Sequence, residues 1–279
     1  MRSMRLYCCV VSLSHILVLP VIARDGVPGT EAHDGVPGTD WTWEDYIFGR
    51  KAVSTTNLKT EGLYGNLDSE TAKMFGVSIT APISRICGIQ VDVLSGEIDP
   101  DDVHGIGFHG FLRNSSFFGP TSGLFGLTAS NIEVARTEAR RIGIESESYV
   151  GQRTIAYYVG HQSGDVDDSW YGGFKAQWYL SDDLMLSASV ATSDGFQRYT
   201  TGVEYQTPLN GLACFANLAT GEDDYDQTLV GLRFYFGGEE KTLIERHRED
   251  NPANSLFGSV IDTFMALPTA VLGAARSGS

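Results

Sequence analysis

The stretch Thr228-Leu-Val-Gly-Leu-Arg-Phe-Tyr-Phe-Gly237 decides the fold. Side chains alternate across an extended strand, so Val230, Leu232, Phe234 and Phe236 share one face, and Gly231, Arg233 and Tyr235 the other. A run of about ten residues with one wholly apolar face and one mixed face has the length and rhythm of a tilted strand that crosses a bilayer. The apolar side would meet lipid and the mixed side would enclose an interior.

The same rhythm runs upstream. Leu212, Cys214, Ala216 and Leu218 oppose Ala213, Phe215, Asn217 and Ala219; Tyr199, Thr201, Val203 and Tyr205 oppose Arg198, Thr200, Gly202, Glu204 and Gln206. Leu184, Leu186, Ala188 and Val190 oppose Ser187 and Ser189, and Trp170, Phe174, Ala176, Trp178 and Leu180 oppose Tyr171, Lys175, Gln177 and Tyr179. Trp170 and Trp178 fall near opposite ends of one segment, where the two aromatic girdles of a membrane barrel lie. Strands are predicted at 61–68, 72–81, 87–97, 103–113, 123–134, 139–149, 152–162, 169–180, 184–192, 196–206, 211–220 and 227–237. The expected fold is all-β: a closed antiparallel up-and-down transmembrane β-barrel of about 12 strands, or 10 if the first pair fails. An even count puts both ends of the barrel on the periplasmic side.

Composition agrees with this reading and removes others. Hydrophobic residues make up 42% of the 279-residue chain and the mean hydropathy is −0.10, too low for a helical membrane protein but natural where apolar and polar residues alternate. The 32 glycines, 14 phenylalanines and 12 tyrosines suit pleated strands with aromatic rims. A net charge of −15 argues against nucleic acid as a partner, since phosphate contacts need clustered Lys and Arg.

Residues 1–23 read as an export signal, with Arg2 and Arg5 ahead of an apolar run from Leu6 to Ile22 and small-residue cleavage chemistry at Val21-Ile22-Ala23. Residues 24–60 read as a linker, with a role as a lumen plug left open; it holds the repeated hexapeptides Asp25–Thr30 and Asp34–Thr39, too few copies for a solenoid. The barrel is expected over 61–237 and a periplasmic tail over 238–279. In that tail Lys241–Arg248 has helical spacing, and the apolar stretch Leu256–Leu272, broken by Pro268, is too short and interrupted to span and reads as an amphipathic helix packed under the barrel. Cys87 and Cys214 sit among apolar neighbours and read as small hydrophobes.

Gly231-Leu-Arg-Phe-Tyr-Phe-Gly237 resembles the terminal strand of proteobacterial outer-membrane porin-like barrels, and Arg246-His-Arg-Glu-Asp250 resembles the short charged segment after the barrel in uncharacterised members of that group. The resemblance covers about residues 60–252. It implies residence in the outer membrane of a Gram-negative bacterium, contact with outer-membrane lipid, and recognition of the terminal strand by the barrel-insertion machinery. Classical porins end at the terminal Phe, whereas this chain continues beyond Phe236.

Opposite the apolar stripes lie Asp92, Arg113, Arg141, Glu145, Glu147, Lys175, Arg198, Glu204 and Arg233. In a membrane barrel they line the lumen, either as a charge-selective passage for small solutes or as a salt-bridge network that closes it. A Ser-His-acid grouping from His161, Ser163 and Asp165 is the one catalytic arrangement the spacing allows, and it would make the protein a lipid-modifying enzyme; spacing alone is weak, and no enzymatic activity is expected. His104 and His109 fall on opposite faces of their strand, which disfavours a shared metal. Glu97–Asp102 lacks a full calcium-loop signature, and the mature chain has neither a Gly-x-x-x-x-Gly-Lys loop nor a Cys-x-x-Cys pair, so no cofactor is expected. The expected function is a porin-like passive channel or a structural outer-membrane protein. The competing class is a secreted, soluble lipocalin-like barrel or sandwich, which explains the same alternation with the apolar face turned inward.

Overall fold

The computed structural model describes residues 51–68, 70–113, 122–222, 224–237, 240–253 and 256–266. The expected export signal, most of the linker and the last part of the tail lie outside these residues. Twelve antiparallel strands, β1 (Asn57–Leu67), β2 (Glu70–Pro82), β3 (Cys87–Ile98), β4 (Asp101–Arg113), β5 (Ser122–Val134), β6 (Thr137–Val150), β7 (Arg153–Gly164), β8 (Ser169–Ser181), β9 (Leu184–Ser193), β10 (Phe196–Gln206), β11 (Leu212–Gly221) and β12 (Asp226–Phe236), form a closed up-and-down barrel. Closure is between the first and last strands, with Leu58 opposite Phe236 and Leu67 opposite Gln227. Each strand thus pairs with its sequence neighbour and no edge is left open, which is what backbone groups in lipid require.

The barrel is apolar outside and charged inside. Leu127, Ile142, Ile144, Val159, Phe174, Leu218, Val230 and Leu232 are exposed on its outer surface. Val203, Leu186 and Phe234, which a soluble barrel would turn inward, are 38%, 41% and 37% exposed. Their strand neighbours Glu204, Met185 and Tyr235 are buried within. An outer surface this apolar is stable against acyl chains and not against water.

Connections at the end away from the barrel termini run two to four residues. At two of them, Ala135-Arg136 and Asp194-Gly195, both residues have positive φ, the mirror-image turn whose twist matches a tight hairpin. Loops this short cannot fold inward to constrict the lumen.

The tail does that instead. After β12 a short helical turn, α1 (Leu243–Glu245), is closed by a capping box between Thr242 and Glu245 and runs into a π-helical turn, Arg246–Asp250. A second helix, α2 (Leu256–Ala266), follows. The amphipathic helix that the sequence places under the barrel is seated within it. Leu256, Phe257, Val260, Ile261 and Phe264 pack with the inward Leu63, Leu67, Met74, Leu94, Ile98, Val103, Ile132, Phe215 and Leu229 in one apolar cluster. Leu243 meets Tyr179 and Met185 near the termini end, while α2 reaches residues at the far end, so the tail threads the lumen. Room for it comes from small wall residues: a Cβ at Gly76 would sit 2.7 Å from the Phe257 ring.

Candidate functional site: the charged lumen

All nine charged residues singled out from the alternation face the interior. Asp92, Arg113, Arg141, Glu145, Glu147, Arg198 and Glu204 are buried, and Lys175 and Arg233 are partly so. They fall into separate groups because strand register sets which of them meet.

Near the termini end Arg233 on β12 joins Glu61 on β1 and Glu204 on β10 in an ion triad. The Glu204 carboxylate also accepts from the Tyr235 hydroxyl at 3.2 Å and lies 3.6 Å from the tail's His247. The His247 ring meets the Tyr179 hydroxyl at 2.9 Å. Three charges out of water need such complete pairing, since a buried ion left alone is strongly destabilising.

On β3, β4 and β6, His109 stands between two carboxylates, Nε2 3.1 Å from Asp92 and Nδ1 3.1 Å from Glu145. The two acids contact opposite nitrogens of one ring, so they cannot share a metal with it. His104 faces outward, 3.2 Å from the Ser95 hydroxyl. Among the described residues no cluster of three or more His, Cys, Asp or Glu is placed to hold a metal ion.

Two predicted lumen charges hold backbone in place. Arg113 donates to the Ala52 carbonyl at 2.6 Å and fixes the segment before β1, and Glu147 accepts from the Ala253 amide of the tail at 2.6 Å. Arg198 bonds Gln227 at 3.1 Å and the tail's Asp262 at 2.5 Å, and the Tyr158 hydroxyl donates to the same carboxylate at 3.2 Å. Arg141 lies against the Tyr171 ring and bonds Gln162 at 2.8 Å and Ser193 at 3.0 Å.

Beside the tail a cavity of about 150 Å³ remains, bounded on the wall side by Lys175, Ser187, Ser189, Thr200 and Asn217, and on the tail side by Phe257 and Ile261. Lys175 makes no ion pair or hydrogen bond among the described residues. A polar space of this size holds several waters.

The sequence-suggested catalytic group does not assemble. His161 faces outward and packs edge-on against Trp170 at 5.6 Å, while the Asp165 carboxylate accepts the Glu138 amide at 3.1 Å. Glu97, from the acidic stretch considered for calcium, is paired with Lys73 at 2.6 Å. The sequence does not mark Lys59, Glu61, His109 or Asp262 as interior groups: parity within a predicted strand reaches His109, whereas Lys59 and Glu61 lie before or at the predicted start of the first strand and nothing local marks Asp262.

A closed, even-stranded barrel with an apolar exterior and an ion-paired interior is a transmembrane β-barrel. No protein-family profile matches the chain, and no curated protein does. Among solved structures it resembles a KdgM porin at 8% identity, with a TM-score of 0.51 over 64% of this chain and 99% of that one. It also resembles the KdgM porin in complex with disordered oligogalacturonate, at 9% identity and a TM-score of 0.52 over 64% and 99%. A third structure, outer membrane phospholipase A from Escherichia coli, has 13% identity and a TM-score of 0.47 over 66% and 92%. At such identities likeness extends to the fold alone: the chain has the architecture of bacterial outer-membrane β-barrels.

Proposed function

We propose that the protein is a porin-like outer-membrane channel whose lumen is closed by its own C-terminal tail, with the barrel termini on the periplasmic side of a Gram-negative outer membrane. Passage of small polar solutes is passive and follows withdrawal of α2. The observation that carries this reading is the cavity beside the helix. A tail serving only as structural filling would pack against its wall, whereas here a lysine, three hydroxyls and an amide are left facing open space next to it. The second reading, a permanently shut structural barrel, draws on the continuous apolar cluster that grips α2.

Planar-bilayer conductance separates the two. The full chain is expected to stay closed with rare steps, and the full-length double variant Val260→Asp, Phe264→Asp, which puts carboxylates into the apolar cluster, is expected to open at least tenfold more often. Absence of steps from the double variant, when its gel migration shows a folded barrel, would leave the structural reading alone.

The channel reading involves no catalysis. His161→Ala is expected to leave lipid hydrolysis by the purified protein at its parental level; a drop to background would make His161 part of an active site.

A further inference from the structure

Among the described residues, the far half of the lumen holds two buried guanidiniums, Arg141 and Arg198, and one carboxylate, Asp262, to serve them. Arg141 and Arg198 are 3% and 8% exposed. The inner-wall acids are engaged elsewhere: Asp92 and Glu145 on His109, Glu61 and Glu204 on Arg233, Glu147 on Tyr149 and the Ala253 amide. Among the described residues Arg141 therefore bonds only neutral groups, Gln162 and Ser193, and its Nε and Nη1 have no hydrogen-bond partner; the Nε of Arg198 has none either. Arg198 and Tyr158 hold one anion, Asp262, directly, and the Arg141 guanidinium lies on the Tyr171 ring, whose centre is 6.2 Å from that of Tyr158.

Asp262 does not belong to the wall. It is carried by α2, the element whose departure opens the barrel. With the tail gone, two buried guanidiniums with unused donors and a tyrosine hydroxyl would point into the passage with nothing to neutralise them. Guanidinium pairs of this kind are suited to planar oxyanions, which they grip by charge-assisted hydrogen bonds.

We propose that Arg141, Arg198 and Tyr158 form an oxyanion-binding site, suited above all to a carboxylate, that the Asp262 side chain fills in the closed barrel. A carboxylate-bearing solute then competes with Asp262 for the site and with the tail for the lumen. The proposal rests on the tail being the closing element, but occupancy of the site can be read without any conductance.

The test is rescue of full-length Asp262→Ala by acetate, followed as thermal unfolding by gel migration. The variant is expected to melt lower than the parent by on the order of 10 °C. Acetate should recover most of that loss, and chloride at equal ionic strength should not. Adding Arg198→Gln should abolish the recovery. A folded Asp262→Ala barrel indifferent to acetate, or equal recovery in the Arg198→Gln background, overturns the site. If Asp262→Ala folds only with acetate present, the site stands. If it does not fold at all, a second measurement decides: in full-length Ser259→Cys, acetate should speed maleimide modification of residue 259 several-fold, read by peptide mass, and an unchanged rate refutes competition. Acetate recovery without channel steps from the Val260→Asp, Phe264→Asp barrel would keep the site and discard the channel; steps without an acetate effect would do the reverse.

Discussion

Arg233→Met is expected to destabilise the inserted barrel by about 3–5 kcal/mol, enough to abolish folding in a marginal background. Arg233 is the cation shared by Glu61 and Glu204, which are 3% exposed on either side of it, and its guanidinium also lies 4.5 Å from the centre of the Phe215 ring. Methionine fills the space but leaves two buried carboxylates facing each other without the cation they share, with only a small cavity beside them. The loss comes from stranding charge, so removing all three charges together should cost much less: Glu61→Gln, Glu204→Gln with Arg233→Met is expected to regain most of the stability. Urea unfolding in lipid vesicles, followed by heat-modifiable gel migration, reads both. A single variant within about 1 kcal/mol of the parent would mean that Lys175, which faces the same cavity, takes over the carboxylates.

The triad also shows what was legible in the sequence. Parity places Arg233 and Glu204 inward, since alternation along a strand does not depend on where the strand ends. Their meeting was not legible, since it depends on the register that sets Ala213 opposite Arg233 and, on the next strand, Gln206. Glu61 is not marked inward by the sequence because the predicted first strand starts with it, whereas β1 begins at Asn57. The outward residues of that added length of strand, Leu58 and Thr60, form too weak an apolar stripe to reveal it.

The tail was half legible. Leu256–Ala266 reads as an amphipathic helix, but an apolar face says only that the helix is covered, not by what. Its seat is written in the wall, as inward glycines at Gly76, Gly105 and Gly107, the last two with Leu256 about 3.3–3.4 Å from where a Cβ would stand. In a strand pattern a glycine carries no polarity, so nothing in the sequence marks those positions as the seat of a helix. The consequence reaches function: the same alternation is compatible with an open or a filled lumen, and the difference lies in a segment outside the repeating pattern.

Leu127→Arg should cost about 2–4 kcal/mol although Leu127 is 60% exposed. In water such a position tolerates a charge within about half a kcal/mol. In a bilayer the same change forces a guanidinium into the hydrocarbon. Leu127 lies near the middle of β5, opposite Ile144 and Gly110 on its neighbouring strands, so the side chain has no short route to either headgroup layer. Depth should grade the effect. Leu180→Arg, next to the last residue of β8 and 63% exposed, is expected to cost at most about 1 kcal/mol, because the arginine can reach the interface. The comparison is to be made by reversible unfolding in vesicles, with both variants in the same lipid. Equal and negligible costs at both positions would place the outer surface in water and return the protein to the soluble carriers; a steep difference between them would measure the hydrocarbon directly.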